Sequence, residues 1–343
     1  MSINVKTLSL IFGILAVVVL SLLLGSYKVS MKDIYFLLLG KLDDPYVKKV
    51  LLDMRVKKVL TALAVGGVLG VSGAAMQSVL RNPLASPFTL GIQHAATLGA
   101  ALALMALYGG TIERFSIKLH NPFLVAGMAF LGAFLQTVFV LALSRVVGLS
   151  VYAIVLVSIA LAFLTQAILS LLQYIFLNEI VVAAILFWTF GDTGRVGWAE
   201  VGIMGLVALV LVGLLLYFAV DLDLISVSDE VAHSSGVKVG KCRFLVLLFC
   251  ALGTAVVVCF VGIIGFVGLV AGQMARLMFG WTNRRIIPFS ALIGGLLLAF
   301  SDLFGRTLLS PTVIPVGIMT SIIGAPVLIY LLLGVRHAQS ARS

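Results

Sequence analysis

The fold turns on residues 66–99, GGVLGVSGAAMQSVLRNPLASPFTLGIQHAATLG. This stretch opens as a helix of small residues and breaks at Asn82-Pro83-Leu84-Ala85-Ser86-Pro87. It resumes as a second small-residue helix from about Thr89. Pro and Gly inside lipid-grade sequence are tolerated only where neighbouring helices take up the freed backbone groups. The break therefore belongs in a packed interior or at a membrane face. Gly66 and Gly70, followed by Ser72, Gly73, Ala74 and Ala75, give a surface that another helix can approach closely. The pattern predicts the centre of a helix bundle, not a span facing lipid.

Working outward, the chain has 343 residues, of which 62% are hydrophobic and 10% charged. A soluble core needs no such apolar excess, so the solvent is lipid. The apolar runs are long and continuous, whereas a β-barrel would show short alternating segments. The expectation is one all-α polytopic membrane domain over residues 1–343. Cys242, Cys250 and Cys259 lie in or beside one hydrophobic run and read as free, packed thiols.

In chain order, an apolar run from Leu8 to Gly25 lacks the small-residue cleavage site of a signal peptide and reads as the first span. A long loop follows at 26–58, with a short amphipathic piece around Met31 to Leu39. Further spans are predicted at about 59–80, 89–108, 122–143, 151–177, 201–220, 244–260, 262–279, 288–303 and 315–333, which makes ten. Residues 178–198 are too short in their apolar part to cross and read as a re-entrant or interfacial piece. A polar segment at 221–243 separates the sixth and seventh spans.

Ten spans put both termini on one side. With the termini inside, Lys and Arg divide eleven inside to twelve outside, and setting aside the eight in loop 26–58 leaves eleven to four. The remaining loops thus place both termini in the cytoplasm. A loop that keeps positive charge on the outer face has a use for it.

The runs Ser72-Gly73-Ala74-Ala75-Met76-Gln77, Arg81-Asn82-Pro83-Leu84-Ala85-Ser86-Pro87 and Leu90-Gly91-Ile92 resemble the signature of the FecCD-type permeases, which serve iron-siderophore, haem and cobalamin importers. The likeness continues in order through Gly265-Phe266-Val267-Gly268-Leu269-Val270, Ala275-Arg276-Leu277, Asp302 with Arg306-Thr307-Leu308, and Gly324-Ala325-Pro326. It departs at Gly272-Gln273, where the family usually has Pro-His. The resemblance implies a type II, cobalamin-permease-like fold of ten helices in a bacterial or archaeal cytoplasmic membrane. It also implies pairing with a second copy or a homologous permease, an extracytoplasmic binding protein outside, and two ATPase subunits inside. No G-x-x-x-x-G-K-[ST] occurs, so ATP and Mg²⁺ belong to those ATPase subunits, and the chain itself is expected to hold no cofactor or metal and to do no catalysis. Lipid is expected as a partner and nucleic acid is not.

The site residues follow from this reading. Segment 221–243 resembles the family's cytoplasmic coupling loop. Ser226 or Ser228 can cap a short helix, Asp229 and Glu230 suit its first turn, and Gly236 ends it. Ser228, Asp229, Glu230, Val231, Ala232, Ser235 and Gly236 are the expected ATPase contacts. Arg55, Lys58 and Arg306 match basic positions that meet acidic groups of the binding protein, and exposed charges of this kind steer docking. Gly66, Gly70, Ser72, Gly73, Gln77, Asn82, Pro83 and His94 are assigned to helix packing or the pathway. Span centres carry almost no ionisable groups, which disfavours an ion-coupled secondary transporter, and no HExxH or paired intramembrane acids suggest an enzyme. The expected function is translocation of a metal-chelate, foremost an iron-siderophore. Haem, cobalamin or molybdate import is the nearest alternative, and a secondary transporter the alternative from another class.

Overall fold

A computed structural model of the chain describes residues 3–25, 27–108 and 122–340. The expected loop with Arg114, Lys118 and His120 lies outside them. In chain order the helices are α1 (Ile3–Leu23), α2 (Met31–Leu38), α3 (Pro45–Lys49), α4 (Lys57–Val79), α5 (Ile92–Tyr108), α6 (Pro122–Val146), α7 (Val151–Phe176) and α8 (Glu179–Thr189). There follow α9 (Trp198–Tyr217), α10 (Ala219–Val227), α11 (Asp229–Ser234), α12 (Val239–Val261), α13 (Val267–Phe279), α14 (Asn283–Thr307) and α15 (Val316–Ser340). Among the described residues, α1, α6, α7, α9, α12, α14 and the rod Pro45–Val79 are long and apolar enough to cross a membrane.

The other three expected spans, α5, α13 and α15, have shorter apolar helices. The third starts at Ile92 because Pro87–Leu90 forms a 3₁₀ turn ended by Gly91 at φ 73°. The eighth starts at Val267, not 262, because Gly262 (φ 83°) and Phe266 (φ 64°) hold the backbone between them out of the helix. At 13 residues, α13 is about 20 Å long. The second half of loop 26–58 is helical: α3, capped by Asp44, runs through a widened π-type turn at Val50–Val56 into α4. The segment read as re-entrant is the 11-residue α8, capped by Asn178 and too short to span.

Helix α4 is the axis of the bundle, and every residue from Val65 to Val79 is buried. It packs on α14, α13, α9 and α12. Its glycines set the spacing. A Cβ on Gly66 would run into the Gly294 carbonyl and sit 2.8 Å from Gly295 Cα, and one on Gly73 would meet the Gly268 backbone. A Cβ on Gly70 would meet Ser290 O. Such backbone-to-backbone contact is the small-residue packing read from the sequence. Ser72 donates to Cys250 O at 3.4 Å across α4 and α12. Cys242, Cys250 and Cys259 are buried free thiols.

Candidate functional site

At the end of the bundle that carries 221–243, the capping chemistry forms as expected. Ser228 Oγ accepts from Val231 N at 3.1 Å, and Gly236 (φ 87°) turns the chain out of α11 while Val237 N donates to Ala232 O. Glu230, Val231, Ser235 and Gly236 are exposed. The Glu230 carboxyl is held below its usual range, first by its own backbone amide and then by the Ser228 hydroxyl. Two further residues of the expected contact set are engaged within the chain. Ala232 is fully buried, and Asp229 is bound by two arginines of the same chain: Arg243 Nη2 donates to Oδ1 at 2.8 Å and Arg81 Nη2 lies 3.3 Å from it.

Next to this segment, Gln77 joins α4 to α13. Its Nε2 donates to Leu269 O at 3.1 Å, while Arg276 and Gln273 donate to its Oε1. Gln273 also donates to Pro83 O at 3.2 Å, so the residue that departs from the family pattern braces the chain break. Asn82 Oδ1 accepts from Leu84 N at 2.9 Å, closing an Asx turn that lets the chain reverse. The break itself lies at the bundle face, where Pro83 is exposed and Asn82 half-buried.

Beyond the break, Phe88 points back into the bundle, its ring packed on Gly265. Here the irregular segments meet. Asp192 N donates to Val261 O at 2.8 Å and Gly317 N to Phe190 O at 3.1 Å, while Phe266 packs against Gly324. Between them opens a cleft of about 540 Å³ lined by Phe88, Phe190 and Phe266, by Ser86, Thr89, Thr189 and Ser321, and by aliphatic residues and glycines. Among the described residues, no charged side chain or His lines it. The Thr89, Thr189 and Ser321 hydroxyls donate to backbone carbonyls nearby in sequence, and Thr89 Oγ1 also accepts from Ser86 N at 3.1 Å. His94 does not line it; its Nδ1 and Gln93 Oε1 are buried without a protein partner in the first turn of α5. The sequence reading passed over these aromatic and hydroxyl residues as a group because they come from four stretches far apart in the chain, 86–89, 189–190, 263–269 and 317–322. The one available signal was the helix break at 82–87, which adjoins the first of them.

At the opposite end, the exposure expected of Arg55 and Arg306 is corrected. Arg55 is 3% exposed and Arg306 8%. Both are turned onto the C-terminal carbonyls of α1: Arg55 donates to Leu22 O, Leu23 O and Tyr27 O, and Arg306 to Ser21 O at 3.1 Å. Helix α1 has no basic residue in its own last turn, and these arginines from elsewhere supply the positive charge its terminus favours. Arg306 also pairs with Asp302 at 3.2 Å, and Asp302 accepts from Thr193 at 2.7 Å. Lys58 is half-buried against Gly194. Among the described residues, the exposed cations of this end are Lys28, Lys32, Lys41, Lys48, Lys49 and Arg195.

Residues 13–334 match the model of the FecCD transport family. An ABC transporter permease protein of Methanocaldococcus jannaschii is 40% identical over 94% of both chains. The vitamin B12 import system permease protein BtuC of Vibrio vulnificus is 34% identical over 83% of both chains. A solved structure described as an inward-facing conformation of a metal-chelate type ABC transporter superposes with a TM-score of 0.82 at 28% identity, covering 95% of this chain and 98% of that one. With the ordered motifs, the glycine-packed axis and the capped segment at 221–243 all in place, the chain belongs to the FecCD transport family and is a multi-span permease of an ABC importer.

Proposed function

We propose that this permease translocates an intact metal-chelate, foremost an iron-siderophore, handed over by an extracytoplasmic binding protein and driven by two ATPase subunits. The observation that carries the cargo class is the cleft lined by three Phe, by Ser and Thr, and by aliphatic residues, with no charged side chain among the described residues. A naked transition-metal ion needs nitrogen, sulfur or carboxylate ligands. A cleft without them suits a metal already enclosed by its chelator, which presents apolar and neutral polar surface to the wall. Haem, cobalamin and molybdate share the importer class, and competition separates them from an iron-siderophore.

In this reading both termini and segment 221–243 are cytoplasmic, and the exposed face of α11, with Glu230, Val231, Ser235 and Gly236, is the ATPase contact. Two such chains, or this chain and a homologous one, close the open side of the cleft. ATP and Mg²⁺ are held by the ATPase subunits. The binding protein meets Lys58 and the exposed lysines of residues 28–49, while Arg55 and Arg306 hold the first helix in place beneath them. Because this contact is between solvated charges, the dissociation constant of the binding protein should rise about tenfold or more between low and high salt, read by titration in nanodiscs.

The test of the function is to purify the chain with its genomic neighbours, reconstitute the complex, and follow ATP hydrolysis together with entry of radioactive iron presented as ferric siderophore. The expected result is co-purification of a subunit with the P-loop motif, activity altered by the binding protein, and iron entry that needs ATP. Iron entry outcompeted by haem or cobalamin would move the cargo to that class. Cargo movement that follows an ion gradient and ignores ATP would overturn the reading altogether.

A further inference from the structure

We infer that Asp229 is a positioning residue that ties the short helix α11 to the Arg81-Asn82-Pro83 chain break, so that movement imposed on α11 is delivered to the break. The inference rests on the reading of α11 as the ATPase contact. Asp229 is the first residue of α11, and its carboxylate is shared by Arg243 at 2.8 and 3.1 Å and Arg81 at 3.3 Å. Arg243 is buried and spends its other donors on Val79 O at 3.3 Å and Leu149 O at 3.0 Å. One carboxylate thus joins α11 to the end of α4 and to the turn between α6 and α7. Arg81 is held at φ 47°, a conformation that side chains rarely adopt, immediately before the break.

A second carboxylate grips the same stretch from the other side. Asp223, on α10, accepts from Asn283 N at 2.7 Å and Asn283 Nδ2 at 2.8 Å. Asn283 Oδ1 accepts from Ser78 Oγ at 2.8 Å, and Ser78 in turn accepts from Arg276 at 2.9 Å. Gln273 holds Pro83 O. Residues 77–83 are therefore fastened to the 221–243 segment at both of its helices, through polar contacts with fixed geometry. Apolar packing alone would let the segment slide; directional ion pairs and hydrogen bonds do not. By contrast, Glu230, one residue on, is exposed.

The experiment uses the complete transporter with Leu84→Cys as reporter. Leu84 is 47% exposed beside the break, and the three native thiols are buried. Maleimide labelling is timed at rest and after trapping with ATP and vanadate, in the parent and with Asp229→Asn, Arg81→Gln, both together, or Glu230→Gln. The parent rate should change about fivefold or more on trapping, the scale of a typical coupling between sites. Asp229→Asn and Arg81→Gln should each remove most of that change while the ATPase subunits stay bound and hydrolyse ATP. The double variant should do no more than either single one. Glu230→Gln should weaken retention of the ATPase subunits. A full rate change persisting in both Asp229→Asn and Arg81→Gln would overturn the inference, as would loss of the ATPase subunits with Asp229→Asn alone. Should Asp229→Asn fail to fold, the half-exposed Arg81→Gln decides. A parent complex that retains no ATPase subunit would instead defeat the functional reading on which the inference rests.

Discussion

Gly66→Ala is expected to destabilise the permease by about 1–3 kcal/mol and to broaden its size-exclusion peak in detergent, whereas Gly67→Ala is expected to be neutral or mildly stabilising. On helix propensity alone both changes favour the helix, since Ala is better than Gly by up to about 1 kcal/mol. The sign is set by what lies opposite. At Gly66 the new methyl meets backbone, the Gly294 carbonyl and Gly295 Cα at 2.8 Å, which no rotamer change can move. At Gly67 the nearest atom is Ala291 O at 3.6 Å, an ordinary contact. The only response to Gly66→Ala is to push α4 and α14 apart. That would also disturb Gly70 on Ser290 and so loosen the helix pair most deeply packed in the bundle. Thermal unfolding of the two variants side by side checks this; equal melting temperatures would show that α4 and α14 are not in backbone contact.

The second large effect is expected at Arg306. Arg306→Met keeps the length of the side chain but strands Asp302, which is 8% exposed, without its counter-charge; breaking a buried pair in this way costs about 3–5 kcal/mol. The same change removes a donor from Ser21 O and Leu24 O, so the first helix should become sensitive to protease near residues 23–28. Adding Asp302→Asn should restore much of the stability, because it removes the stranded charge, but not the protease resistance, because the donor is still absent. Stability unchanged in Arg306→Met would mean that the pair is solvated. A surface docking residue would show no protease effect, so the pair of readouts separates anchoring from docking.

These residues also show where sequence reading reaches. The long spans were legible because lipid imposes a length and an apolar composition that residues 3–23, 151–176 or 239–261 satisfy by themselves. The caps of α11 were legible because Ser228 and Gly236 act within their own turn. The glycine axis was legible because small residues four apart mark one face. Helix starts at α5 and α13 were misplaced by several residues. Pro87 and Gly91 mark the first only approximately, and nothing local announces a left-handed Phe266. Arg55 and Arg306 were read as surface charge because both stand at span edges. Their partners are carbonyls at and just beyond the end of α1, 28–33 and 282–285 residues away, which no local pattern links to them. The partners of Asp229 within the chain were illegible for the same reason: its arginines are 148 residues before it and 14 after it.

The way α1 is held has a consequence for biogenesis. Of its residues only Leu10, Val17 and Ser21 are buried, and it rests chiefly on α14, nearly three hundred residues further along the chain. Helix α1 thus enters the bilayer long before its main seat is made. Until the ninth span is synthesised and Arg306 can reach Ser21 O, it is held through Arg55 and the Val50–Val56 turn. A chain stalled or truncated before residue 283 would carry a half-docked α1, the kind of exposed degron that membrane quality-control proteases can grasp. Arrival of Arg306 would then mark the permease's escape from turnover.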